Sequence, residues 1–207
     1  MKKVYVIVGL YNNMEFLDVA INDPQATVFA FEPNPDLIEE IKTKMILPSN
    51  YHLIQKAVSN FNGKSTFNIC SNPTCSSLQD WGNGPTFGDM KKIEVEVVTL
   101  SDFIKEHGIL EIEIIQIDAQ GSDLQVLEGI GDKISIVKRG SCESLAPHVT
   151  EWRLYESQPL YHEIENFLNA HSFSCSWEYN VGNGIPGDEV NITFTNTIIN
   201  RDENSKV

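Results

Sequence analysis

Positive charge is scarce in this chain of 207 residues. Lys and Arg number 15 against 29 Asp and Glu, which gives a formal net charge of −14 at pH 7 without any local Lys/Arg cluster. Such a surface repels nucleic-acid phosphates and anionic membranes. Long apolar runs are also missing, because none approaches the roughly 20 residues that span a bilayer. We therefore predict no nucleic-acid partner and no membrane insertion.

Cysteine and histidine are few and scattered. The four cysteines form no C-x-x-C pair, and the five histidines show neither H-x-x-x-H nor H-E-x-x-H spacing. We therefore predict free thiols and no dedicated metal site. We also predict no targeting segment, because an apolar strand begins almost at Met1. The expected location is the cytoplasm.

Apolar β-type runs alternate with helical patterns through the first half of the chain, which is typical of βαβ units and a parallel sheet. Residues 4–8 and 27–32 are the first two predicted strands. A helix over 14–22 follows the first, with Asn12 and Glu15 resembling a capping box. After the second, Asn34 is suited to cap a helix that has Pro35 in its first turn and runs to about residue 45.

The pattern continues along the chain in the same way. Residues 52–58 read as a third strand, and Asn62-Gly63 before the alternating segment 65–69 reads as a hairpin turn. The Ser-, Asn-, Pro- and Gly-rich stretch 71–88 predicts a long loop near the active site. Further predicted elements are strands at 93–99, 112–117 and 135–137, helices at 101–107, 122–130 (with a capping box from Ser122 to Gln125) and 161–171, and an antiparallel pair at 174–179 and 190–195.

These elements predict one α/β domain over residues 1–199, with helices on both faces of a mostly parallel open sheet, and a charged, disordered tail over 200–207. Ligands of open parallel sheets bind outside the carboxyl ends of the strands, where the strand order reverses. This rule selects few polar positions. They are the loop from Gly9 to Asn13, Glu32, Ser59, the turn from Asp118 to Gly121, and Glu143.

Glu32 stands 23 positions after Gly9, close to the spacing at which an acidic side chain binds the ribose hydroxyls of an adenosine cofactor. The alternative is a surface acid that precedes the helix start. The loop after the first strand lacks G-x-G-x-x-G, which argues against NAD and FAD. A methionine carboxylate does not require these glycines, because helix N-terminal N–H groups can bind it. The alternative interpretation of this loop is an ordinary strand-to-helix turn.

Asp118 ends a strand of isoleucines, where a buried carboxylate is costly unless a substrate or a cofactor cation needs it. It is our first candidate for a general base, followed by Glu143 and His148. Asp118 can also be a turn former, and His148 a solvated loop residue. A divalent ion between Asp118 and Glu143 is a further alternative.

Several segments together resemble the FkbM-family methyltransferases. They are VYVIVG, AFEPNPDLIEEI, AVS with NGKSTF, SSL, VVTLSDF, IIQIDAQGSDLQVLEGIG and the final GDEVNITFTN. The resemblance implies a Rossmann-like class I methyltransferase fold and S-adenosylmethionine as the cofactor. It also implies that Glu32 binds the ribose and that Asp118 and Gln120 face the methyl-transfer site.

The resemblance further implies that the segment from Ala57 to Ser59 borders the adenine, and that Ser76 and Ser77 line the acceptor pocket beside Gln120. An acidic cleft also suits a sulfonium cation, and methyl transfer requires loss of the acceptor's proton. The predicted cofactor-binding residues are Gly9, Tyr11, Asn12, Asn13, Glu32, Pro33, Ala57, Val58, Ser59, Asp118 and Gln120.

One motif departs from the family. Its first motif usually reads D-V-G-A-N-x-G, and here Ile7, Leu10, Tyr11 and Asn13 replace the acid, the alanine, the asparagine and the last glycine. Loss of the acid removes an expected partner of the cofactor's ammonium group or of the loop amides. Two functions follow. The chain is predicted to be an O-methyltransferase acting on a hydroxyl of a sugar, glycan or similar small polar acceptor, or else a degenerate member with a binding or regulatory role.

Overall fold

The computed structural model describes residues 2–11, 13–180 and 188–199. Within them, ten strands form one sheet of seven strands and one of three. The strands are β1 (Val4–Val8), β2 (Thr27–Phe31), β3 (Tyr51–Ile54), β4 (Ala57–Val58), β5 (Gly63–Cys70), β6 (Met90–Val98), β7 (Ile112–Ile117), β8 (Val137–Leu145), β9 (Phe173–Tyr179) and β10 (Glu189–Asn196).

The large sheet has the order β3-β2-β1-β7-β8-β10-β9. Strands β3, β2, β1, β7 and β8 are parallel, whereas β10 runs antiparallel to both of its neighbours. The chain moves outward from β1 to β3 and then crosses to β7 on the other side of β1. The strand order therefore reverses between β1 and β7, which is where an open α/β sheet binds its ligand. The predicted fold class, with its antiparallel closing strand, is confirmed.

Helices cover both faces of the large sheet. Alternate residues of β1 divide between two apolar clusters, with Val4, Val6 and Val8 in one and Tyr5 and Ile7 in the other. The helices among the described residues are α1 (Leu17–Asn22), α2 (Pro35–Lys44), α3 (Leu100–Glu106), α4 (Asp123–Ile130) and α5 (Tyr161–Ala170). The first cluster includes buried side chains of α3, α4 and α5, and the second includes those of α1 and α2.

The sequence locates the start of α2 well because the signal is local. Asn34 is the N-cap, its side chain accepts a hydrogen bond from the Asp36 N–H (3.0 Å), and Pro35 occupies the first turn. Pro tolerates that position because its missing N–H would have no partner in the helix. This geometry fixes the direction in which the chain leaves β2, immediately after Glu32.

Two predictions about the middle of the chain are wrong. The segment 52–58 is not one strand, because β3 pairs with β2 in the large sheet while β4 pairs with β6 in the small one. Asn62-Gly63 does not close a hairpin between neighbours either: β4 and β5 lie on opposite sides of β6. The pairing partner is distant in sequence, and alternation of apolar residues does not reveal it.

Three boundaries also differ from the prediction. Helix α1 begins at Leu17 with Phe16 as N-cap rather than at residue 14, and Asn12 lies outside the described residues. Ser122 is the N-cap of α4 but makes no side-chain cap bond, so the predicted capping box does not form. Residues 135–136 belong to a 3-10 turn, and β8 extends to Leu145, so that Glu143 lies within the strand instead of after it. The predicted tail, 200–207, lies outside the described residues.

The long loop after β5 packs on the segment that follows β8. A bridge joins Trp81 to Tyr155, their rings stack with centroids 5.4 Å apart, and the Gly82 N–H donates to the Leu154 carbonyl (2.8 Å). The two segments together cover the carboxyl end of the sheet. Among the described residues, no helix combines the length and the apolar character needed to cross a bilayer.

Candidate active site

A cavity of about 520 Å³ opens at the carboxyl ends of β1, β2 and β7, at the point where the strand order reverses. The long loop contributes to its wall, as predicted, through residues 73–76, Leu78 and Phe87. Its lining is strongly acidic. Among the described lining residues Lys56 is the only Lys or Arg, and the acids are Glu32, Asp36, Glu40, Asp118, Glu143 and Glu189.

Glu32 lies at the tip of β2 and is buried. Its Oε2 accepts a hydrogen bond from the Tyr11 N–H (3.0 Å), and its Oε1 accepts one from the Asn34 N–H (2.8 Å). Burial raises the pKa of this carboxyl to about 7, although both hydrogen bonds act in the opposite direction. Each oxygen keeps a second lone pair, so the ionised group can still accept hydroxyl donors from a ligand.

Gly9 allows the tips of β1 and β7 to meet. It has a φ of +81°, and a Cβ built on it would lie 1.9 Å from the Asp118 carbonyl oxygen, so no residue with a side chain fits here. The Gly9 and Leu10 N–H groups both donate to the Phe31 carbonyl (3.0 and 3.1 Å), while the Asp118 N–H donates to the Val8 carbonyl (2.8 Å). The loop after β1 is therefore tied to both neighbouring strands.

Two of the four altered positions of the first motif, Ile7 and Leu10, are apolar and buried. Ile7 and Leu10 are both about 1% exposed or less and pack in the same cluster. A carboxylate nevertheless lies beside this position: Gln116, the register partner of Ile7, donates to Glu15 Oε1 (3.3 Å). Burial raises the pKa of Glu15. The sequence pattern singled out Glu15 as a capping-box residue and not as a residue of the candidate site.

The opposite end of the cavity holds two carboxylates joined by one amide. Gln120 Nε2 donates to Asp118 Oδ1 (2.6 Å) and to Glu143 Oε2 (3.2 Å). Asn180 Nδ2 donates to the other Glu143 oxygen (2.9 Å). Three segments that are far apart in sequence therefore converge on this pair of acids.

Burial and charge both act on the ionisation of this pair. Burial raises the pKa of both Asp118 and Glu143, and in Asp118 the hydrogen bonds from Gln120 and Glu143 oppose this effect. The charges of Asp118 and Glu189, and of Asp123 where it is ionised, raise the pKa of Glu143 further. These effects favour the proton on Glu143 and the ionised form of Asp118. An ionised carboxylate beside a cavity is suited to accept a proton.

Asp123 lies beneath the pair in the first turn of α4. It is 1% exposed, and its Oδ1 accepts a hydrogen bond from the Glu143 N–H (3.1 Å). Burial and the charge of Asp118 raise its pKa to about 8. At neutral pH this residue is mostly protonated and adds little negative charge. Among the described residues, no group of three or more His, Cys, Asp or Glu has the arrangement to hold a metal ion.

Most predicted site residues line the cavity. Three do not: Ser59 is buried and its N–H donates to the Val98 carbonyl (3.1 Å), Ser77 is buried behind Gln120, and His148 is half-exposed and paired with Asp188 (3.0 Å). Asn12 lies outside the described residues. Those that line the cavity are Gly9, Tyr11, Asn13, Glu32, Pro33, Ala57, Val58, Ser76, Asp118, Gln120 and Glu143.

Two residues of the site escaped sequence analysis. Asn180 follows β9, and Tyr155 lies in an irregular segment and donates its hydroxyl hydrogen bond to Gln120, which lines the cavity. Neither belongs to a local motif. The available signal for Asn180 is its position after a predicted strand, and for Tyr155 it is an aromatic residue in a Pro- and Ser-containing loop.

Comparisons with known proteins agree with this geometry. The model of the family described as the methyltransferase FkbM domain matches residues 8–175. A curated relative, the 2-O-methyltransferase NoeI of Sinorhizobium fredii (strain NBRC 101917 / NGR234), is 25% identical over 55% of this chain and 56% of its own length. The chain thus spans about half the length of that relative.

Solved structures of methyltransferases resemble the chain at low identity. One is precorrin-6y C5,15-methyltransferase from Geobacter metallireducens GS-15, with a TM-score of 0.49, 10% identity and coverage of 94% of this chain and 79% of that one. Another is an rRNA methylase from Streptococcus thermophilus, with a TM-score of 0.48, 10% identity and coverage of 94% and 88%. The family match is the stronger finding. The chain belongs to the FkbM methyltransferase family.

Proposed function

We propose that this chain transfers the methyl group of S-adenosylmethionine to a hydroxyl of a sugar, a glycan or a similar small polar acceptor. The observation that carries the proposal is the cavity at the strand-order reversal, with Glu32 at one end and the Asp118–Glu143 pair at the other. An adenosine cofactor and an acceptor need one binding region each, and the two ends of the cavity can supply them. Bound S-adenosylmethionine supplies an electrophilic methyl group on a sulfonium centre.

The residues present fit this cofactor. Glu32 offers a buried carboxylate to the ribose hydroxyls, and its two backbone donors hold it in place. Gly9 lets the tips of β1 and β7 meet at the wall of the cavity, which brings Asp118 to the site. Ala57 and Val58 provide an apolar wall for the adenine. The excess of acids favours a ligand with a sulfonium and an ammonium group over a neutral one.

Asp118 is the proposed general base. Its carboxylate accepts the acceptor's hydroxyl proton while the oxygen forms its bond to the methyl carbon and the carbon–sulfur bond breaks. Gln120 holds Asp118 by a hydrogen bond of 2.6 Å, and protonated Glu143 keeps a second negative charge away from it. His148 is not part of this step, because its imidazole pairs with Asp188 outside the cavity.

The acidic lining of the cavity also limits the charge that the acceptor can carry. At the Asp118 end the described lining residues carry carboxylates, amides and hydroxyls but no Lys, Arg or His. A phosphate or carboxylate on the acceptor would meet like charges in a cavity of low dielectric constant. We therefore expect an uncharged or cationic acceptor. The name of the relative NoeI, a 2-O-methyltransferase, supports oxygen as the methylated atom.

The direct test is transfer of label from [methyl-³H]S-adenosylmethionine to a panel of sugar acceptors. Uncharged and amino sugars should accept label, and sugar phosphates and uronic acids should not. Isothermal titration with S-adenosylmethionine and with S-adenosylhomocysteine runs in parallel. A protein that binds neither ligand contradicts the proposal, whatever acceptor is offered.

A binding or regulatory role is the second candidate function. The altered first motif favours it, since the positions of its acid and alanine are occupied by Ile7 and Leu10, both buried in apolar packing. This candidate predicts weak or undetectable binding of the cofactor and no transfer of label. The titration above therefore separates the two functions before any acceptor is known.

A further inference from the structure

Tyr155 is a buried side chain outside every motif of the sequence. It is 1% exposed, its ring stacks on Trp81, and its other side packs on Gly121, where an added Cβ would lie 2.6 Å from the ring. Burial raises the pKa of the phenol strongly, so Tyr155 remains a hydrogen-bond donor over the whole working range of pH. A rigid donor is thus fixed behind Gln120, which lines the cavity.

The hydroxyl of Tyr155 has two acceptors in reach and one proton to give. Gln120 Oε1 lies at 2.8 Å and the Cys75 carbonyl oxygen at 3.2 Å. The shorter contact is the one to Gln120. Gln120 is held in a second way, because Ser77 Oγ donates to its backbone carbonyl (2.6 Å), and it has a positive φ of 46°. Residues that carry such strain are common at active sites.

The two ends of the Gln120 amide face partners of opposite type. Nε2 faces carboxylate oxygens of Asp118 and Glu143, which accept hydrogen bonds, and Oε1 faces the phenol that donates one. A rotation of the amide by 180° would turn Oε1 toward the two acids and lose these bonds. The donor at Oε1 therefore determines which way the amide points.

We propose that Tyr155 is a positioning residue that fixes the amide of Gln120 and so keeps Asp118 ionised and correctly placed. Its importance for methyl transfer rests on the proposed function, whereas its effect on the acid pair does not. Without the phenol, Gln120 Oε1 has no donor among the residues that the structure describes, and no hydrogen bond then holds the amide in the orientation that directs Nε2 at the carboxylates. The acid pair then takes up a proton more readily.

Other titratable groups also face the pair from the surrounding elements. Their charges are the same in the wild type and in a variant at Tyr155, so a difference between the two proteins reports the amide. These groups are Glu15 in the loop after β1, Glu32 after β2, Cys75 in the long loop, Asp123 on α4, Cys142 on β8 and Glu189 on β10.

The test is a ¹³C-carboxyl NMR titration of the protein labelled at Asp and Glu. Y155F removes only the hydroxyl, and the freed amide of Gln120 then loses its hydrogen bond to Asp118. The pH at which the pair ionises should rise by about one unit, since a hydrogen bond to a charged group is worth about that much. Y161F is the matched control, because within the described part of the chain the Tyr161 hydroxyl bonds only to Glu165 (2.9 Å), and neither residue lines the cavity. Titrations of Y155F that superimpose on the wild type overturn the proposal.

A second variant, at Gln120, keeps the test decisive if Y155F does not fold. Q120L removes the amide itself and should raise the pH at which the pair ionises by a similar amount. The double variant Y155F/Q120L should ionise at the same pH as Q120L alone. Additive shifts overturn the proposal. In an active enzyme, Y155F should also lower kcat/KM about tenfold at pH values below the shifted pKa and change KM for S-adenosylmethionine little. Absence of methyl transfer in the wild type would remove the proposed function, and the NMR result would still decide the role of Tyr155.

Discussion

The two ends of the cavity stabilise their carboxylates in different ways. At the β2 end, main-chain N–H groups of Tyr11 and Asn34 hold Glu32. At the β7 end, side chains hold Asp118 and Glu143, and they come from the turn after β7 and from the end of β9. The first arrangement survives most side-chain substitutions, whereas the second depends on each residue that takes part.

The difference also concerns charge. Burial raises the pKa of Glu32 to about 7, and the charge of Asp118 is the smallest cause of this rise. Asp118, Glu143 and Asp123 lie closer together, and the charge of Asp118 raises the pKa of both Glu143 and Asp123. A carboxylate held by main-chain donors is suited to bind a ligand, and coupled acids are suited to move a proton. We therefore expect substitutions at the first end to change affinity and substitutions at the second to change the rate.

Asp118→Asn should have the largest effect. It removes the base but keeps the shape, so kcat should fall about 10²- to 10⁴-fold while the affinity for S-adenosylmethionine changes less than tenfold. Steady-state kinetics and calorimetric titration measure the two quantities. Asp132→Asn, at an exposed residue paired with Lys133, is the control. Loss of affinity without loss of kcat would place Asp118 at the cofactor end.

Gly9→Ala should damage both ends at once, because Gly9 packs against the Asp118 carbonyl. We expect the free energy of unfolding to fall by about 3 kcal/mol, as strain and a main-chain clash add together. Gly108→Ala is the matched control: Gly108 also has a positive φ, of +60°, but has nothing within 4 Å of a built Cβ. It should cost about 1 kcal/mol. Equal losses in urea unfolding would show that the two strand tips are not in close contact.

Asp123→Asn should show its effect in the pH dependence of stability. The folded chain keeps the Asp123 proton up to a pKa of about 8, and the unfolded chain releases it near the ordinary value of 3.8. The free energy of unfolding therefore falls as pH rises between these values, by at most about 1.4 kcal/mol per pH unit. The variant should lose less stability from pH 5 to pH 8. Parallel stability curves would mean that Asp123 is ionised in the fold.

The strand-end residues could be predicted because they follow local patterns. Val4–Val8 and Ile112–Ile117 are continuous apolar runs, and the structure has the strands with these bounds. Asn34 and Pro35 are a local helix start, which fixed the surroundings of Glu32. The rule that ligands bind at carboxyl ends of parallel strands then indicated Glu32, Asp118 and Gln120, all of which line the cavity.

Long-range contacts could not be predicted. The small sheet places β6 between β4 and β5, and nothing in the segment 52–69 indicates a partner some thirty residues later. Tyr155 reaches Gln120 across 35 positions, and Asn180 reaches Glu143 across 37. His148 attracted attention through its residue type alone, and its partner Asp188 became visible only in the fold.

The most direct measurement is calorimetric titration of S-adenosylmethionine into the wild type, E32Q and E32A from pH 6 to pH 8, with E39A on the exposed face of α2 as control. A carboxylate with a pKa of about 7 should make wild-type binding about tenfold tighter at pH 8 than at pH 6, because ribose hydroxyls donate to its ionised form. E32A should bind about 10- to 100-fold more weakly at pH 8, and E32Q should lose the pH dependence. Full affinity in E32A, with the pH dependence of the wild type, would contradict the assignment of this cavity to the cofactor.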